Sequence, residues 1–101
     1  MSASLSSGIA AYTSAKYEEA VSIFLVTLED NRLDWWAWFY LGMSYAKVGR
    51  VENAYRIMQV ICALCSDATV KSEARSKIAE LEDELFGVTR KEFATDLKRT
   101  A

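Results

Sequence analysis

The sequence predicts an all-α chain of antiparallel helix hairpins closed by a capping helix, and three observations carry that expectation. There is no proline and there are only four glycines in 101 residues, so nothing interrupts long helices and the punctuation of β-folds is missing. Apolar residues recur at three- and four-residue spacing in the best-patterned stretches, which gathers them on one side of a helix. The third observation is a repetition. Shifting the sequence by 34 residues lays Gly8 on Gly42, Lys16 on Arg50, Glu18 on Glu52, Ala20 on Ala54, Ile23 on Ile57 and Phe24 on Met58. Each pair matches in size or charge, as two copies of one stacked supersecondary unit would.

Taken in order, helices are expected at about 4–14, 17–30, 35–48, 51–65 and 69–86. Breaks fall at Ala15–Lys16, Asn31 to Asp34, Gly49, and Ser66 to Ala68. The first helix is the least strongly patterned, with Ser4, Ser7 and Ala11 where the second copy has Trp38, Leu41 and Tyr45. Asp34 has the short acceptor side chain that caps a helix N-terminus, and it opens the third helix. The fifth helix carries one narrow apolar stripe, Val70, Ala74, Ile78, Leu81 and Leu85, among Lys, Arg, Glu and Asp. One apolar side and one wet side is the pattern of a lid over the end of a stack. Gly87 reads as its C-cap, and Thr89 with Glu92 as a capping box for a short last helix bearing Phe93 and Leu97. The expected organisation is thus one domain over residues 1–87 (units at about 1–34 and 35–68, capping helix 69–86), followed by a short helix or tail at 88–101.

In the second copy Trp38, Leu41, Gly42 and Tyr45 spell W-x2-L-G-x2-Y, followed by Gly49, Ala54 and Met58. This resembles the tetratricopeptide repeat family, whose signature and period these are. In the first copy Gly8, Tyr17, Ala20 and Phe24 fit the same pattern, while Arg32 and Ser66 stand where the family commonly has proline. The resemblance covers residues 1 to about 68 and implies a right-handed superhelix of hairpins. It further implies that the first helix of each repeat lines a concave groove that takes a peptide. Carried over residue by residue, the groove is lined by Leu5, Ile9, Tyr12 and Leu33 from the first repeat and by Trp36, Phe39, Tyr40 and Met43 from the second. Lys47, Val70, Glu73 and Lys77 form its far rim. The Lys, Arg and Asn clamp with which some members hold a chaperone's C-terminal carboxylate is absent, because Leu5, Ile9, Tyr40, Val70 and Ala74 occupy those places.

The run from Asp34 to Tyr40 holds all three tryptophans. At about 100° per residue, Trp38, Leu41, Gly42 and Tyr45 make one stripe, and Trp36, Phe39 or Tyr40, Met43 and Lys47 make another. The second stripe is expected to meet an apolar partner segment, since Trp, Tyr and Met are enriched at interfaces. Packing of Trp36, Phe39 and Tyr40 on the fifth helix or the last one is the competing expectation, as is filling of the groove by Phe93 and Leu97 of the same chain.

Several chemistries lack their residues. The chain has no histidine, and Cys62 with Cys65 makes a lone C-x2-C without the further ligands zinc requires. Two reduced, buried cysteines are expected, with no metal and no cofactor. Glu80, Glu82, Asp83 and Glu84 read as a solvated face, and Arg90, Lys91, Lys98 and Arg99, interspersed with Glu92 and Asp96, as a solubilising tail. A net charge of -2 gives no footprint for nucleic acid. No stretch approaches the apolar length of a membrane span, and a cytoplasmic location is expected. The function expected is a non-catalytic adaptor or scaffold that binds an apolar peptide segment of another protein. The alternatives are a chaperone dedicated to one client, similar in size and repeat type to secretion chaperones, and a structural subunit whose aromatic stripe forms a homodimer.

Overall fold

Each hairpin is set by the turn that closes it, and the two turns are alike to the individual hydrogen bond. The computed structural model describes the backbone of residues 4–100 and the side chains of residues 4–86. It contains five helices, α1 (Leu5–Thr13), α2 (Tyr17–Asp30), α3 (Trp35–Lys47), α4 (Val51–Leu64) and α5 (Ala68–Thr100), and no strand among the described residues. After α1 the chain enters the left-handed region at Ala15 (φ 63°). There Lys16 N–H donates to Ala11 O at 2.9 Å and Ala15 N–H to Tyr12 O at 3.0 Å. After α3 the chain does the same at Gly49 (φ 89°), with Arg50 N–H on Tyr45 O at 2.8 Å and Gly49 N–H on Ala46 O at 3.2 Å. Both are Schellman turns, which satisfy carbonyls left over at a helix end and reverse the chain.

The same repetition governs packing within each hairpin. A Cβ on Gly8 would lie 2.3 Å from Phe24 Cε1, and one on Gly42 would lie 2.7 Å from Met58 Cε and 3.1 Å from Ile57 Cγ2. In each unit, then, a glycine of the first helix admits a large side chain of the second, while Ala20 and Ala54 are fully buried. The expected helix crossings are present. Ser4, a departure from the repeat pattern, N-caps α1 through its hydroxyl on Ser7 N–H, and Asp34 N-caps α3 through Ala37 N–H at 3.2 Å.

Two buried clusters form the interior. Ala11, Ala20, Phe24, Leu28, Ala37 and Leu41 make one, and Phe39, Ala54, Met58, Ile61, Cys65, Val70, Ala74 and Leu81 make the other. Trp38, Tyr40, Tyr45 and Ile57 pack against both. Because α3 contributes to each cluster, it must be apolar on two sides, which accounts for the aromatic run.

Two expectations are corrected here. The helix does not stop at Gly87. α5 runs without a break for 33 residues, across the expected boundary at 87–88. A lone glycine in a helix costs only about 1 kcal/mol relative to alanine and needs a proline or a left-handed turn beside it to end one. The capping-box side chains of Thr89 and Glu92, and the packing of Phe93 and Leu97, lie outside the described residues. The second correction is Val70, which is 1% exposed and forms core rather than rim. The link before α3 spans residues 31–34, but that before α5 spans only 65–67. One residue fewer turns the helix by about 100° relative to the 34-residue pattern. At a shift of 33, Val70, Ala74 and Ile78 match Ala37, Leu41 and Tyr45, so α5 packs as α3 does.

Candidate functional site

A cleft of about 300 Å³ opens between α3 and α5. Met43 and Ala46 line it from α3, Leu81 from α5, and Met58 from α4, with Tyr12 of α1 at one end. Gly42 belongs to the same lining, and the buried Met58 side chain packs on it. Lys47, Lys77, Glu80 and Glu84 supply the charged margin, and Lys77 Nζ lies 3.1 Å from Glu80 Oε2. The cleft therefore joins an apolar floor to a charged margin, and that margin contains Lys47 and Lys77 of the expected rim.

Of the twelve residues expected to line or rim a groove, four meet at this cleft: Tyr12, Met43, Lys47 and Lys77. Leu5 and Ile9 are half-buried against the first cluster. Phe39 is corrected from groove to core, 5% exposed in the second cluster with Val70 and Ala74. Leu33 is 73% exposed in the α2–α3 link and belongs to neither cluster. Trp36 and Tyr40 are half-buried in an aromatic ladder. Trp36 meets Phe39 edge-on at 5.6 Å, Phe39 meets Tyr40 at 5.7 Å, Tyr40 stacks on Phe24 at 6.0 Å, and Tyr12 meets Tyr40 at 5.8 Å. This ladder joins α1, α2 and α3 and leaves Trp36 and Tyr40 partly exposed. The expected packing of this stripe inside the fold thus holds for Phe39 and in part for its neighbours.

Electrostatically the distinctive group is Tyr12. Burial, followed by the nearby Tyr17 and Tyr40 hydroxyls, holds its phenol above the ordinary tyrosine value. Tyr17 meets its ring edge-on at 5.4 Å. Tyr12 therefore faces the cleft as a neutral hydrogen-bonding group.

Met58, Leu81, Glu80 and Glu84 were not anticipated as lining. Met58 sits at the repeat's large-residue position and reads as pure core. It is indeed 1% exposed and meets the cleft only at its base, packed on Gly42. Leu81 was expected inside the lid stripe, where it is 6% exposed yet still lines the cleft.

Cys62 is half-buried and Cys65 buried, both free, with Cys65 Sγ accepting from Asp67 N–H at 3.4 Å. Among the described residues no group of three His, Cys, Asp or Glu side chains is placed to hold a metal ion. No helix of the described residues is long and apolar enough to cross a membrane. No protein family, curated protein or solved structure matches this chain.

Proposed function

We propose that the chain is a non-catalytic adaptor of the tetratricopeptide kind, which holds an apolar peptide segment of a partner protein in the α3–α5 cleft. The observation that carries the reading is the cleft's floor of Met43, Met58 and Leu81 beside Gly42, on the side of the stack formed by the first helix of each hairpin. Methionine is flexible and polarisable, so such a floor adapts to several apolar side chains. A volume near 300 Å³ is at the small end for ligand sites and fits one or two side chains of a peptide, not a folded domain. The charged margin orients the segment, and the partly exposed Trp36 and Tyr40 extend the contact along α3. The resemblance of Trp38, Leu41, Gly42 and Tyr45 to the family signature, with glycine meeting a large residue in both hairpins, supports the same assignment. The absence of histidine from the chain weighs against acid–base chemistry at this site.

The test is a random peptide library selected on the full chain, followed by titration calorimetry of the enriched sequences against wild type and Met43→Glu. Burying a carboxylate in the floor is expected to cost binding about 2 kcal/mol or more, roughly thirtyfold in Kd. Failure to enrich any peptide, or equal binding by the variant, removes the reading.

A further inference from the structure

A second surface, away from the cleft, runs as a furrow along the outer side of α2 and α3. At one end it is lined by Glu18, Val21, Tyr45 and Arg50, and at the other by Leu28, Glu29, Arg32 and Trp38. Leu25 belongs to both ends and is 44% exposed, as is its neighbour Val26. A large aliphatic side chain held half in water at the middle of a helix, with further apolar surface on either side, marks a face that associates.

The charges around Leu25 specify with what. Glu18 stands two helical turns before it in α2, and Arg32 follows it in the link after α2, at the other end of the furrow. Glu29 flanks it on the Arg32 side, and Arg50, held over the Tyr45 ring at 6.0 Å, on the Glu18 side. Each end of the furrow thus offers one acid and one base, and none of the four is ion-paired within the chain among the described residues. We propose that the furrow is a self-association face, on which a second copy of the chain docks antiparallel about a two-fold axis through Leu25. In that arrangement Glu18 meets the second copy's Arg32 and Glu29 meets the second copy's Arg50, and symmetry makes each pair twice.

The end of α2 adds an independent argument. Its last turn carries Glu29 and Asp30 and no basic residue, which opposes the negative end of the helix dipole. The second copy's Arg50 brings positive charge to that end. The apolar centre with complementary charge at its margins is the anatomy of a specific interface.

Sedimentation equilibrium of the full chain over a range of concentrations tests this. The expected result is a monomer–dimer equilibrium that weakens with salt. Leu25→Glu weakens it at least about tenfold, and Glu18→Arg weakens it by about the same factor. The double variant Glu18→Arg with Arg32→Glu, which restores opposite charges across the axis, recovers affinity to within about threefold of wild type. Met43→Glu, in the α3–α5 cleft, leaves the dimer intact, which separates this face from the peptide site. Glu18, Leu25 and Arg32 are exposed and Met43 is half-buried in the cleft, and unchanged helicity by circular dichroism establishes that the variants fold. A wild-type chain that stays monomeric, a dimer indifferent to Leu25→Glu, or a double variant no tighter than Glu18→Arg overturns the proposal.

Discussion

Ala15 and Gly49 do the same work with unequal means. Both sit in the left-handed region that closes a Schellman turn, but only glycine enters it without a steric penalty, which is about 1–2 kcal/mol for a residue with a Cβ. Ala15→Gly is therefore expected to raise stability by about 1 kcal/mol, and Gly49→Ala to lower it by a similar amount, in urea titrations followed by circular dichroism. Opposite signs at two positions 34 residues apart would establish that the turns are one device used twice. At Tyr12 the raised phenol means that the folded chain binds its proton more tightly than the unfolded chain. That stabilisation is complete below the ordinary tyrosine range and is lost as pH rises through the folded value. An ultraviolet difference titration should show one tyrosine ionising late, and Tyr12→Phe should remove it. Tyr17→Phe should bring it only part of the way back, because burial is the larger cause.

At the scale of the element, the short link ahead of α5 decides which face of that helix is buried. Val70→Ala is expected to cost about 2 kcal/mol, since it deletes buried methyl groups from a closed site, whereas Glu73→Ala, one exposed side chain along, should stay within about 0.5 kcal/mol of wild type. Reversed magnitudes in chemical denaturation would return α5 to the 34-residue register. The comparison also marks what the sequence discloses and what it withholds. The ends of α1 to α4 are legible to within a residue or two because Asp34, Gly49 and the repeat spacing are local signals with local consequences. The face of α5 is not, because one missing link residue changes nothing in the helix's own pattern and everything about its orientation. Phe39 and Trp36 show the same limit on α3: both lie outside the signature stripe, and only the position of α5 determines that Phe39 is enclosed while Trp36 stays partly exposed. Of the candidate site, Tyr12, Met43, Lys47 and Lys77 could be read from repeat position, while Met58 needed the three-dimensional fact that it packs on Gly42 at the base of the cleft.

For the molecule as a whole, the two clusters are not independent interiors. Trp38, Tyr40, Tyr45 and Ile57 belong to the margin of each, and Trp38 Nε1 further donates to Arg32 O at 2.8 Å, tying α3 to the link from the first hairpin. Neither hairpin can lose its packing without exposing side chains the other uses, so calorimetry is expected to give a single heat-absorption peak with agreeing calorimetric and van't Hoff enthalpies. Two resolved peaks would count against this coupling. The position of that indole, with the other two on the same helix, has a practical result as well. α3 borders both the methionine-floored cleft and the outer furrow. The chain therefore carries its own dye: a guest on one side or a twin on the other would change the colour of its emission, and no label need be attached to watch either arrive.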